Sequence, residues 1–134
     1  MKWDDYMEFY VREGMTATME IYVTENDTAS KLGSGNLDVF STPAMIALME
    51  NTSKSSVDLH LPFGYTTVGI ELNIKHIKPS PVGIKVRCEA LLTKVEGKKL
   101  FFNVQAWDEK GKIGEGTHVR YIVNSDDFVK KLQS

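Results

Sequence analysis

The sequence predicts an α+β fold in which one long antiparallel sheet wraps a single buried helix, and three observations predict it. From residue 65 onward apolar residues recur at every second position, the period of strands. The alternating stretches are separated by turn residues only a few positions long. Between Ser41 and about Asp58 the alternation disappears, and Ala44-Met45-Ile46-Ala47-Leu48-Met49 runs without one polar residue. One helix that is apolar all round and one long sheet leave one economical packing, with the sheet curled about the helix.

Taken in order, Met15 to Val23 is the first strand candidate, with Met19, Ile21 and Val23 on one face. Thr42 reads as the N-cap of the helix and Pro43 as its first residue. The polar residues Asn51 to Lys54 should bring the far end of the helix to solvent. Next, Val68, Ile70, Leu72, Ile74 and His76 alternate with Gly69, Glu71, Asn73 and Lys75, so the first set should face the helix. Lys78-Pro79-Ser80-Pro81-Val82-Gly83 is a turn whose prolines remove ladder donors. Ile84, Val86, Cys88, Ala90 and Leu92 form the apolar side of the following strand, and Leu100, Phe102, Val104 and Ala106 that of the next. Val95-Glu96-Gly97-Lys98 and Asp108-Glu109-Lys110-Gly111 turn the chain, and the last strand runs from about Ile113 to Val123. Four long strands with short turns read as a meander. Ser125 caps a short helix to Leu132, with Asp126 and Asp127 in its first turn.

The 134 residues suit one domain spanning 1–134, with no internal repeat or linker. A net charge of -2 gives no reason to expect nucleic acid or an anionic membrane as partner. Cys88 is the only cysteine, which rules out an internal disulfide and a cysteine-rich metal site and suits a reducing compartment. Met1-Lys2-Trp3-Asp4-Asp5-Tyr6 lacks the basic-then-apolar pattern of a signal sequence, and no apolar run approaches the roughly 20 residues of a membrane span. The expected location is the cytoplasm.

Few residues could carry chemistry. Glu50 directly follows the apolar run, and position alone leaves two readings open: a partly desolvated carboxylate, or a surface ion pair with Lys54 at i+4. His76 occupies the inward register of its strand. Alone it would be a core histidine satisfied by a carbonyl; converging with Glu50 on one helix–sheet seam, it could activate water or steady a nucleophile. Thr42 adds a hydroxyl near the positive end of the helix dipole, although capping alone would explain it. Eight residues separate Thr42 from Glu50, about 12 Å at 1.5 Å per residue, so the two should not touch. In Gly114-Glu115-Gly116-Thr117-His118-Val119-Arg120 two alternate glycines strip one face and admit a ligand or another backbone. His118 and Arg120 share that face, and a solvated sheet surface is the plainer expectation for His118. Gly69 is similarly permissive. His60, His76 and His118 fall in no recognised metal-ligand spacing, and there is no Gly-rich phosphate loop.

From about residue 15 to 130 the chain resembles the hot-dog fold thioesterases, and within them the fluoroacetyl-CoA thioesterase-like family. The resemblance is carried by Val39-Phe40-Ser41-Thr42-Pro43-Ala44-Met45-Ile46-Ala47-Leu48-Met49-Glu50 and by Lys75-His76-Ile77-Lys78-Pro79-Ser80-Pro81-Val82-Gly83. Val95-Glu96-Gly97-Lys98-Lys99-Leu100 and Ile113 to Arg120 add to it. It implies a hot-dog fold, catalytic roles for Thr42, Glu50 and His76, and substrate contacts from Gly69 and Arg120. The implied reaction is hydrolysis of a small acyl-CoA to a carboxylate and free CoA, with no metal or redox cofactor, since CoA belongs to the substrate. A homodimer or higher homo-oligomer is implied as well. One departure stands out: Ser30 to Asp38 carries no aromatic residue, whereas the fluoroacetyl-specific branch is similar to a site roofed by aromatics at this point. Its glycines suggest a mobile segment and a more open site, so fluoroacetyl specificity is not carried over. Two other readings stay open: an acyl-CoA hydratase or dehydratase on the same fold, and a non-catalytic acyl-CoA binding module.

Overall fold

A computed structural model describes residues 9–133; the N-terminal stretch read for a signal sequence lies outside them. Five strands form one antiparallel sheet: β1 (Thr16–Tyr22), β2 (Tyr65–His76), β3 (Lys85–Glu96), β4 (Lys99–Asp108) and β5 (Gly111–Asn124). Their spatial order is β1-β3-β4-β5-β2. The helices are a one-turn α1 (Ala29–Leu32), the central α2 (Thr42–Asp58) and the C-terminal α3 (Ser125–Leu132). Among the described residues no helix is long and apolar enough to cross a membrane.

The meander expected of the last four strands is correct only for β3, β4 and β5. β2 pairs with β5 at the far edge, so residues 77–84 form a crossover, not a hairpin. The prolines explain why, since a ladder cannot pass through two residues without N–H groups. Instead the crossover is pinned by Ser80, whose hydroxyl donates to Asp108 at 2.8 Å, and by the Phe40 amide on the Ser80 carbonyl.

The inner face of the sheet supplies the core. Val86, Cys88, Ala90, Leu92, Leu100, Phe102, Val104 and Ala106 are all buried, as their alternation predicts, against Met45, Leu48, Met49 and Val57 of α2. Each large side chain removed from water contributes roughly 1.5–3 kcal/mol. Gly114 has no side chain because Met45 lies there, its sulfur 2.5 Å from where a Cβ would sit.

Helix α2 departs from expectation on both of its faces. Ala47 and Asn51 are exposed and Ile46 and Glu50 half-buried, so the apolar stretch is not covered all round. Thr52 and Ser53, expected in solvent, are buried with their hydroxyls on the Leu48 and Met49 carbonyls at 2.7 and 2.8 Å. A helix hydroxyl that bonds the preceding turn needs no water, and so can enter the core. The sheet thus covers one side of α2 and leaves a stripe from Thr42 through Ala47 to Asn51 open.

Strand β2 holds a second surprise. A β-bulge at Ile70 shifts the register with β5 between Gly69 and Glu71. One extra residue reverses the side-chain alternation. Leu72, Ile74 and His76 share the helix-facing side as predicted, but upstream of the bulge that side carries Thr67 and Gly69 in place of Val68 and Ile70. Ile70 is 51% exposed.

Candidate active site

Ser41, not Thr42, caps α2: its hydroxyl accepts from the Ala44 amide at 3.1 Å. Thr42 is therefore the first helical residue, and its hydroxyl is free for other use. It lies 2.8 Å from Nδ1 of His76 at the end of β2. Pro43 has no N–H and the Ala44 amide is taken by Ser41, which leaves the Thr42 amide as the donor at this helix end. The His76 ring meets the edge of Phe40 at 6.4 Å between centroids. Burial lowers the His76 pKa, with the Lys78 backbone opposing, so the neutral ring is favoured. Its Nε2 is buried and makes no hydrogen bond of good geometry, although the Lys78 backbone lies near enough to favour the charged ring. A cleft of about 320 Å³ opens here, lined by Ala29, Ser34, Phe40, Thr42, His76 and Lys78.

Two turns along α2, Glu50 is not paired with Lys54, which binds Asp58 at 2.5 Å instead. Its carboxylate lies 3.9 Å from Nη1 of Arg120, beyond hydrogen-bond distance. Gly69 faces the gap between them: a Cβ there would sit 2.8 Å from Glu50 Oε2 and 3.4 Å from Arg120 Nη1. Arg120 is 5% exposed and held on three sides. Its Nε donates to the Thr67 hydroxyl at 2.8 Å, Nη2 to the Thr67 carbonyl at 2.9 Å and Nη1 to His118 Nε2 at 3.1 Å. Burial works against the Arg120 charge, and Glu50 and Asp58 favour it.

Both groups thus lie along the seam of α2 and β2. The structure joins Thr42 to His76, and Glu50 to Gly69 and Arg120, while eight residues of helix, about 12 Å, separate the two. His118 corrects the expectation of a solvated face: it is buried under Phe102, because the inner row of β5 turns toward the helix. Thr67 was not foreseen at all, since the bulge that turns it inward leaves no mark in the alternation. Ser30 to Asp38 runs through α1 and a hydrogen-bonded return. Thr28 caps α1, the Ala29 amide donates to Val39 and the Ser30 hydroxyl to Asp38.

A strongly curved antiparallel sheet around one helix, with its polar groups on the helix–edge-strand seam, is the architecture of a hot-dog fold protein. The family model of the fluoroacetyl-CoA-specific thioesterase FlK matches residues 23–126, and the chain belongs to that family. A fluoroacetyl-CoA thioesterase from Streptantibioticus cattleyicolor is 32% identical over 96 residues, 72% of this chain and 69% of that one. The crystal structure of the fluoroacetyl-CoA thioesterase FlK superposes with a TM-score of 0.87 at 29% identity, covering 92% of this chain and 96% of the other. A thioesterase superfamily member from Thermus thermophilus superposes at 0.84, with 26% identity and 91% and 90% covered.

Proposed function

We propose that the protein hydrolyses a small acyl-CoA thioester, with Thr42, Glu50 and His76 as its catalytic residues. The observation that carries this reading is the Thr42–His76 hydrogen bond at the start of α2, made by a hydroxyl that capping does not occupy. With His76 neutral, Nδ1 accepts the Thr42 hydroxyl proton, which leaves the threonine lone pairs toward the carbonyl carbon, while the Thr42 amide donates to the thioester oxygen. Glu50 supplies the carboxylate that attacks the carbonyl carbon or takes the proton of the attacking water. On the first path the C–S bond breaks to leave an acyl–Glu50 anhydride that water then opens, and on the second the water oxygen joins the carbonyl carbon as the C–S bond breaks; on both, one water proton goes to the departing sulfur and the other to solvent, so CoA leaves as thiol and the acyl group as carboxylate. Arg120 and Gly69 form the acyl end: one supplies a fixed positive edge, the other the room beside it. No metal or redox step is needed for this chemistry, and a cytoplasmic location fits an acyl-CoA substrate.

The same reading includes a homodimer whose sites are shared. β2 is an edge strand, and Ile70 and Leu72 on it are 51% and 41% exposed. Two β2 edges paired antiparallel about a two-fold axis set the His76 end of one chain beside the Gly69 end of the other. That arrangement brings one protomer's Thr42 and His76 toward its partner's acyl end, and it covers the open stripe of α2.

Thiol release from acetyl-, short branched, long-chain and aromatic CoA esters tests the activity. Cys88 will not interfere with a thiol-reactive dye, because burial pushes its thiol up to about 11. Turnover should be lost in Glu50→Gln and His76→Ala; unchanged turnover in either would sink the assignment, and formation of an enoyl-CoA without thiol would favour a hydratase. Mixing Thr42→Val with Glu50→Gln chains tests sharing, since half the sites in each mixed dimer are then intact and roughly a quarter of the activity returns. No recovery, with mixed dimers demonstrated, would place each site within one chain.

A further inference from the structure

His118 is fully buried, yet nothing in the reaction above employs it. It is wedged between the Phe102 ring, 6.3 Å away, and Gly69, whose missing Cβ would lie 3.1 Å from its Cε1. An apolar side chain would fill that space without the cost of burying an imidazole. The hydrogen bonds show what the imidazole adds. Arginine only donates, so His118 Nε2 is bare and accepts from Arg120 Nη1 at 3.1 Å. Nδ1 then carries the proton and donates to the Glu71 carbonyl, just past the bulge, at 2.9 Å. Nη1 is thereby anchored on His118, 3.9 Å from Glu50 Oε2.

We infer that His118 is a positioning residue, which through its bare Nε2 fixes the Arg120 guanidinium against the Gly69 gap and ties that gap to the Ile70 bulge. The inference rests on the thioesterase reading of the site. The groups that face His118 are Arg120 from β5, Glu50 from α2 and the Glu71 carbonyl from β2, with Asp58 acting on Arg120. Burial and Arg120 disfavour a proton on the ring, and outweigh the Glu71 carbonyl and Glu50, so its pKa is lowered. A second proton would turn the acceptor into a donor aimed at a cation, and Arg120 would leave its place. Sequence periodicity puts His118 and Arg120 on one face; only the structure shows that one holds the other.

The experiment compares His118→Gln, His118→Asn and His118→Leu. Glutamine puts an amide oxygen near the Nε2 position and still accepts from Arg120. Asparagine reaches only the Glu71 carbonyl, and leucine replaces the volume alone. Glutamine should keep kcat/KM within a fewfold of wild type. Asparagine and leucine should lose roughly 10²-fold, mostly in kcat, because a displaced guanidinium misaligns the acyl end without touching CoA. If leucine does not fold, the glutamine–asparagine pair decides. Nitrogen NMR gives an answer independent of turnover: wild-type His118 should show one protonated Nδ1 and one bare Nε2. The Arg120 Nε–H should exchange slowly in wild type and glutamine and fast in asparagine. Full activity with slow Arg120 exchange in asparagine, glutamine as damaged as leucine, or a protonated Nε2 in wild type would each overturn the inference. Absence of thiol release from wild type would refute the thioesterase reading alone, since the NMR comparison still reports on Arg120.

Discussion

Replacing Gly69 by alanine separates the site from the scaffold that carries it. The backbone of Gly69 has no positive φ, so alanine fits the strand conformation without strain. Its Cβ, however, would lie 2.8 Å from Glu50 Oε2 and 3.1 Å from His118 Cε1. His118 cannot retreat, being backed by Phe102 and tied to the Glu71 carbonyl. The Glu50 carboxylate, at the end of a flexible and half-exposed side chain, must therefore give way by about 0.6 Å to reach ordinary van der Waals contact. A misplacement near 1 Å costs about 10²-fold in rate, so a shift of this size should cost roughly 10- to 10²-fold, or about 1.4–2.7 kcal/mol of barrier. Stability should move the other way or not at all, because glycine in a strand interior is about 0.5–1 kcal/mol worse than alanine. The assay is kcat/KM by thiol release, beside a urea or thermal melt of the same samples. Activity within about threefold of wild type would refute the claim that Gly69 exists to keep this gap open. A melt that falls in step with activity would mean that His118, not Glu50, had been displaced.

Ser41 and Thr42 should divide capping from chemistry. Ser41→Ala should cost about 1 kcal/mol of stability and spare most of the turnover, whereas Thr42→Val should leave the melt nearly unchanged and lower kcat by 10²-fold or more. Urea melts and thiol release on the two variants check this, and the reverse pattern would make Thr42 the cap after all. Stability should also fall below about pH 6.5, the ordinary histidine value. His76 and His118 both have lowered pKa values in the folded chain, first of all because of burial. Between the folded and unfolded values the unfolded chain binds more protons, so this contribution is complete above the unfolded pKa and is lost as pH falls toward the folded ones. Urea melts between about pH 5 and 8 should show the decline, and His118→Gln should make it shallower. The acid limb of kcat/KM should lie below the ordinary histidine range, because His76 must stay neutral to take the Thr42 proton.

Much of the fold was legible because the inner rows of β3 and β4 alternate without interruption, from Val86 to Leu92 and from Leu100 to Ala106. Strand order was less legible. Residues 78–83 have the length and composition of a hairpin turn, and only tertiary pairing of β2 with β5 shows that the chain crosses over. The bulge at Ile70 defeated the period in a different way: Val68 and Ile70 look inward by count, but the register slips by one and Thr67 and Gly69 take their place. His118 could have been assigned correctly. It lies an even number of residues from Arg120, Gly116 and Gly114, and that whole row faces the helix, where two missing side chains make room for Met45 and for the backbone of β2. Thr42 and Ser41 are both good cap residues by type, and the choice between them rests on one hydrogen bond.

These errors and the candidate site share a physical origin. A regular strand buries one face and exposes the other, which suits a core but cannot hold an arginine, a histidine and a carboxylate beside an open gap. The Ile70 bulge breaks that rule locally. It turns Thr67, a polar residue, inward to take two of Arg120's donors, and it places side-chain-free Gly69 opposite Glu50. On the other side of the seam, Ser41 takes over the cap so that Thr42 can face His76. In both places a residue that periodicity or capping statistics would spend on stability is replaced by a neighbour, and the freed group points into the seam. Local departures from the simplest pattern therefore mark the candidate site better than any motif in this chain.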